Sequence, residues 1–190
     1  DADRMPVGTE RPRMTAGRAA LIALARQYVE PGYRLTLLEV QKLSYFLQVA
    51  GENLRLTFVK GKFGPYAANL EHALQRMEGH YFRGYGDRSR HSTIRLVEGS
   101  EGDAMDFLTA KPETHARLRR VSDLIHGFES PYGLELLATV HWVATHDLLG
   151  NLDLRSVADA VHSWNERKRA TFDMDHIESA WTQLKLQGWI

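Results

Sequence analysis

The chain has 190 residues, with 24 basic and 24 acidic side chains for a formal net charge of zero, and no cysteine. Disulfides, thiolate metal sites, iron–sulfur clusters and thiol catalysis are therefore excluded. No apolar run reaches the roughly 18 residues a membrane-spanning helix needs, and the N-terminus has no apolar secretory core. A cysteine-free chain suits a reducing compartment, so a cytoplasmic location is expected. The length fits one domain that buries about 70% of its unfolded surface. The first residue is Asp1 and not Met, which reads as the start of a fragment. Charge neutrality argues against a dedicated nucleic-acid binder, whose affinity comes mainly from neutralising phosphates.

Residues 1–14 are polar, with two prolines and a glycine, and read as a linker or frayed tail; residues 15–190 read as one domain. Thr15 is placed to cap a first helix with a broad apolar face (Ala19, Leu21, Ile22, Leu24, Ala25, Tyr28, Val29), stopped by Pro31-Gly32. Thr36-Leu37-Leu38-Glu39 is a capping box that opens a second helix, ended by Gly51. Leu54 to Lys60 alternates apolar and polar residues, as a half-buried strand does. Lys62 to Tyr66 reads as a turn, Tyr66 to Glu78 as a third helix, and His80 to Asp87 as a glycine-rich loop. Thr93 to Glu98 reads as a second strand, able to pair with the first in a small hairpin-like sheet. Asp103 is predicted to cap a short turn through Leu108, and Pro112 to open a helix reaching about Phe128. Ser130-Pro131 is an N-cap with proline at the first helical position. The helix it opens, to His146, is apolar nearly all round and is expected to be the central buried one. Asp153 and Asp173 cap two more helices, the first carrying Arg167, Lys168 and Arg169 at its end. The predicted fold class is mainly α (α+β): a multi-helix domain with a small β element.

Chemistry-bearing motifs are few. His141 and His146 are five apart, about 140° around a helix, whereas zinc pairs on one helix need a spacing of three or four. There is no P-loop, no Gly-x-Ser-x-Gly elbow and no dinucleotide fingerprint. No metal, cofactor or catalytic residue is therefore expected. His72, His80 and Asp87 form the one His–carboxylate group compatible with hydrolase chemistry. Arg83, Arg88, Arg90 and Arg95 would serve a nucleic-acid-binding module. An acidic cluster, Glu98, Glu101, Asp103 and Asp106, reads either as a helix-capping loop or as an edge for a basic partner.

One stretch carries more polar and aromatic residues than turns require. It runs from Gln41-Lys42-Leu43-Ser44-Tyr45-Phe46-Leu47-Gln48 through Lys60-Gly61-Lys62-Phe63-Gly64-Pro65-Tyr66 to Met77-Glu78-Gly79-His80-Tyr81-Phe82-Arg83-Gly84-Tyr85-Gly86-Asp87. This order resembles the C-terminal, toxin-binding domain of DarG antitoxins, and its Lys-Leu-x-Tyr and Phe-Gly-Pro-Tyr pieces resemble Panacea-type antitoxin domains more broadly. The resemblance implies a non-enzymatic antitoxin domain that binds and silences DarT, a DNA ADP-ribosyltransferase, by occluding its single-stranded DNA site. It implies DarT and an N-terminal macrodomain as protein partners, with no direct nucleic acid and no membrane. A DNA mimic would offer carboxylates for phosphates and rings for bases. The candidate contact residues on that reading are Lys62, Phe63, Tyr66, His80, Tyr81, Phe82, Tyr85, Asp87, Glu98, Glu101, Asp103 and Asp106. The same rings fit a purely structural role, pinning turns onto helices, and Lys42 and Glu78 fit structural ion pairs.

Overall fold

Side-chain caps set most of the helix starts. Thr15 accepts a hydrogen bond from the Arg18 amide and opens α1 (Ala16–Val29). Thr36 and Glu39 form the predicted capping box at the start of α2 (Leu37–Val49), where Glu39 accepts from the Thr36 amide at 2.9 Å. Ser130 caps α6 (Pro131–Trp142), Asp153 caps α7 (Leu154–Trp164) and Asp173 caps α9 (Met174–Leu186). Each such cap contributes about 1 kcal/mol. The remaining helices are α3 (Ala68–Met77), α4 (Ser100–Leu108), α5 (Pro112–Ile125) and α8 (Glu166–Thr171). This computed structural model describes residues 7–86, 92–150 and 152–190. Among them the protein is mainly helical, with only two short β ribbons, as expected.

The sequence-based boundaries needed four corrections. First, Leu54 to Lys60 is not a strand; only Val59–Gly61 is, as β1, and it pairs antiparallel with β2 (Gly64–Tyr66). The alternation of Leu54, Leu56 and Phe58 toward the core is real. Its backbone groups, however, are satisfied by side-chain amides instead of a strand. Gln48 bonds both the amide and the carbonyl of Leu56, while Asn69 takes the Thr57 amide and the Arg55 carbonyl. Second, Thr93 to Glu98 contributes only β4 (Arg95–Leu96), whose partner is β3 (Phe82–Arg83), so two separate ribbons replace the single expected hairpin. Third, Asn165 interrupts the helix from Asp153 and caps α8 through the Lys168 amide, so Arg167, Lys168 and Arg169 begin a new helix and do not end an old one. Fourth, Asp103 lies inside α4, which starts at Ser100.

The expected central helix is central. Leu134, Leu137, Ala138 and Val140 of α6 are fully buried, and α6 packs on α2, α5, α7, α9 and β2. It continues as a π-helical turn, Val143–Asp147, where His146 stacks on Trp142 at 3.9 Å. On the far side, α1 packs against α4. Residues 7–14 have no regular structure but are pinned. The Tyr81 hydroxyl donates to the Pro12 carbonyl at 2.6 Å, and Arg11 pairs with Asp103 at 2.6 Å.

Candidate functional site: a cationic cleft beside the hairpin

The β1–β2 hairpin matters because of what fastens it. Its turn lies against the α7–α8 junction, where the Trp164 indole donates to the Gly61 carbonyl at 2.9 Å and the Asn165 amide donates to the Lys62 carbonyl at 3.2 Å. From below, Lys42 of α2 donates to the Pro65 carbonyl at 2.6 Å. Gly64 has φ +97°, and a Cβ there would lie 3.1 Å from Thr139 Oγ1 and 3.4 Å from Lys42 Cε. The glycine thus meets both a left-handed backbone and a close approach.

Under this hairpin lies a network of buried charge. Glu135 of α6 is almost fully buried and accepts from three donors: Lys168 Nζ at 2.7 Å, Arg167 Nη1 at 2.6 Å and Arg167 Nη2 at 3.1 Å. Lys168, fully buried, also donates to Thr139 Oγ1 at 3.1 Å. Lys42 shares the neighbourhood without a carboxylate of its own, and burial pushes its ammonium down to about 7 despite the attraction of Glu135. Burial likewise lowers Lys168, opposed by Glu135. A buried ion of this kind stays charged only when paired.

The network surfaces in a cleft of about 490 Å3, whose lining includes Leu38, Lys62, Phe63, Tyr132, Glu135 and Arg167. The Arg167 guanidinium stacks 4.6 Å from the Phe63 ring centroid, and Lys62 Nζ is 5.5 Å from it on the hairpin turn. Tyr132 is held by its hydroxyl, 3.1 Å from the Thr171 carbonyl and 2.6 Å from His176 Nδ1. Chemically the cleft offers two cations, an aromatic wall and a carboxylate floor that buried ammonium groups already compensate.

The other sequence candidates divide clearly. Tyr81, Phe82 and Tyr85 are buried in the core, so they offer no stacking surface. Tyr66 is half-buried, with its hydroxyl donating to Glu71. His80 is held by Thr9 at 2.9 Å, while His72 is exposed on α3; no hydrogen bond or ion pair joins them among the described residues. Asp87, Arg88 and Arg90 lie outside the described residues. Arg83 and Arg95 face each other across the β3–β4 ribbon. Of the acidic cluster, Glu101 pairs with Arg26 at 3.3 Å and Asp103 with Arg11, so both tie α4 to its neighbours; Glu98 and Asp106 are exposed. Among the described residues neither Lys42 nor Glu78 forms the expected ion pair. Lys42 donates to the Pro65 carbonyl, and Glu78 accepts the backbone amides of Gly84 and Tyr85. His141 is a core histidine, hydrogen-bonded to the Tyr45 hydroxyl at 2.6 Å and pushed down to about 4 by burial and His146. A smaller depression holds His126 and Glu129, 3.5 Å apart, but that imidazole is 89% exposed and lacks a water-excluding wall.

Glu135 was missed from the sequence. The signal available was a lone carboxylate in a helix otherwise apolar all round, since such a group demands buried cations.

The cleft thus brings two cations and two aromatic rings together over the Glu135 carboxylate. No family model matches the chain. It is similar to proteins named DNA ADP-ribosyl glycohydrolase. One, from Thermus aquaticus (strain ATCC BAA-2747 / Y51MC23), is 46% identical over 178 residues, which is 94% of this chain and 49% of the relative. Two others, from Mycobacterium bovis and Mycobacterium tuberculosis, are each 36% identical over 186 residues, 90% of this chain and 52% of theirs. The chain spans about half the length of the curated relatives it matches.

These names correct the antitoxin reading. The relatives are named as hydrolytic enzymes, not as antitoxin domains. The implied absence of enzymatic activity, the DarT and macrodomain partners, the DNA mimicry and the exclusion of nucleic acid are corrected with it. The structure supplies a physical reason for part of the error. Several residues that gave the resemblance an excess over structural need have structural employment: Lys42 under the hairpin, Glu78 on two backbone amides, and Tyr81, Phe82 and Tyr85 in the core. Among the described residues, no helix is long and apolar enough to cross a membrane.

Proposed function

We propose that this chain takes part in hydrolysis of ADP-ribose from DNA, and that its cleft is the face presented to the modified strand. The observation that carries the reading is the 46% identity, along 94% of this chain, to a protein named DNA ADP-ribosyl glycohydrolase. The reaction adds water across the bond between the ribosyl carbon and DNA: hydroxide goes to the sugar, which leaves as free ADP-ribose, and the proton to the DNA group that stays in the strand. The cleft supports the binding part of that task, because Lys62 and Arg167 are cations at its rim and Leu38 and Tyr132 are apolar walls. A cytoplasmic place of action is part of the same proposal.

The test is direct. An ADP-ribosylated single-stranded oligonucleotide is incubated with this chain and, in parallel, with the Thermus aquaticus relative, and free ADP-ribose is measured by mass spectrometry. The reading expects this chain to bind the modified strand and to promote its release. A chain that neither binds the modified oligonucleotide nor releases ADP-ribose, while the relative does both, would overturn it.

A further inference from the structure

The described residues hold three cations and the buried Lys42 amine at one place, with few carboxylates to match them. Lys42, Lys62, Arg167 and Lys168 lie on or directly behind the cleft wall; against them stand Glu135, which Arg167 and Lys168 share, and Glu39, which is turned toward Thr36 as a helix cap. Glu135 takes two of the five N–H donors of Arg167. The other three have no carboxylate partner among the described residues, and neither does Lys62 Nζ. Two cations therefore face the same opening with donors that no carboxylate among the described residues takes up. Beside them the wall is apolar: Leu38, Pro131 and the Tyr132 ring, whose position is fixed by its hydroxyl. The volume, about 490 Å3, lies within the ~300–1,000 Å3 usual for small-ligand sites.

We infer that this cleft binds a nucleoside phosphate, with the phosphoryl oxygens between Lys62 and Arg167 and the sugar and base against Leu38, Pro131 and Tyr132. Arg167 suits the role because Glu135 holds its guanidinium plane in place, so little freedom is lost when an anion arrives. The ligand's chemistry is shared by two sources, an ADP-ribosyl group and a nucleotide of single-stranded DNA. The inference rests on the reading of the chain as one that works on ADP-ribosylated DNA, and adds where and how the strand or its adduct is held.

The whole 190-residue chain is titrated by calorimetry with ADP-ribose, with an unmodified single-stranded octanucleotide and with inorganic phosphate. ADP-ribose or the octanucleotide is expected to bind with a Kd at least tenfold below that of phosphate. Lys62→Ala, on an exposed turn, is expected to weaken that binding about tenfold and to reduce its salt dependence. Arg167→Lys, which keeps a charge for Glu135 but loses the fork, should weaken it similarly without altering the unfolding midpoint by more than a few degrees. Tighter binding of ADP-ribose than of the octanucleotide assigns the site to the adduct; the reverse order assigns it to the strand; either supports the inference. Equal affinity for all three ligands, no binding, or binding that both variants leave unchanged overturns it. Release of ADP-ribose by a chain whose cleft fails these tests would sink this inference while leaving the proposed function standing. A chain that binds in the cleft yet releases nothing leaves the inference intact and counts against hydrolysis.

Discussion

At the scale of single residues, Gly64 and Lys42 show how one small site constrains its occupants. Gly64 combines φ +97° with 3.1 Å of clearance to Thr139 Oγ1. Gly64→Ala is expected to destabilise the protein by about 2 kcal/mol, read as a lower urea midpoint; an unchanged midpoint would refute the close approach. Lys42 makes a different prediction. Its folded-state value is pushed down to about 7, whereas in an unfolded chain it is ordinary, about 10.4. Between those values the unfolded state binds more protons, so this group's penalty is fully in force below pH 7 and fades as pH rises toward 10. Lys42→Met removes the penalty. Stability measured from pH 7 to 9.5 should then rise less steeply in the variant, by roughly 1 kcal/mol per pH unit. Parallel pH profiles for the two proteins would rule out a titrating Lys42.

Elements here are held by side chains as much as by ladders. The stretch before β1 shows it best, because alternation alone called for a strand and the tertiary structure supplied the Gln48 and Asn69 amides in its place. Gln48→Leu leaves both polar groups of Leu56 unsatisfied at a half-buried site. The expected cost is about 2 kcal/mol, with faster amide hydrogen exchange confined to residues 54–58 at first. If exchange there does not change, the side-chain amide is not what orders the segment. The capped helices behaved differently. Thr15, Thr36, Ser130, Asp153 and Asp173 each marked a helix start in the sequence, because a cap acts on amides two or three residues away. Asn165 works the same way at α8, where it accepts from the Lys168 amide and starts a new helix one residue after Trp164.

Across the whole molecule, the Glu135 network joins α6, α8, the hairpin and α2 into one unit. Removing its carboxylate while keeping its shape should be costly. Glu135→Gln leaves Arg167 and Lys168 without their shared anion, and a loss of about 3–5 kcal/mol is expected, visible as a large drop in the thermal midpoint. A loss under 1 kcal/mol would show that the cations reach solvent without it. The same substitution is expected to loosen Arg167 and so weaken the cleft for phosphate ligands, which ties the stability of the domain to the site it carries.

The sequence by itself determined the helical class, the central place of the helix from Pro131, and most helix ends. These depend on interactions within a turn or two, or on an apolar pattern that only burial satisfies. It also displayed Lys62 and Phe63 as residues beyond the needs of a turn. Only the tertiary structure decided which of those side chains face solvent and which are consumed in packing. The contacts that decide it are remote in the chain: Lys168 lies 33 residues from Glu135, and Trp164 lies 103 residues from the Gly61 carbonyl it fastens. No local pattern encodes such pairs, because their free energy is gained only once the helices between them have packed.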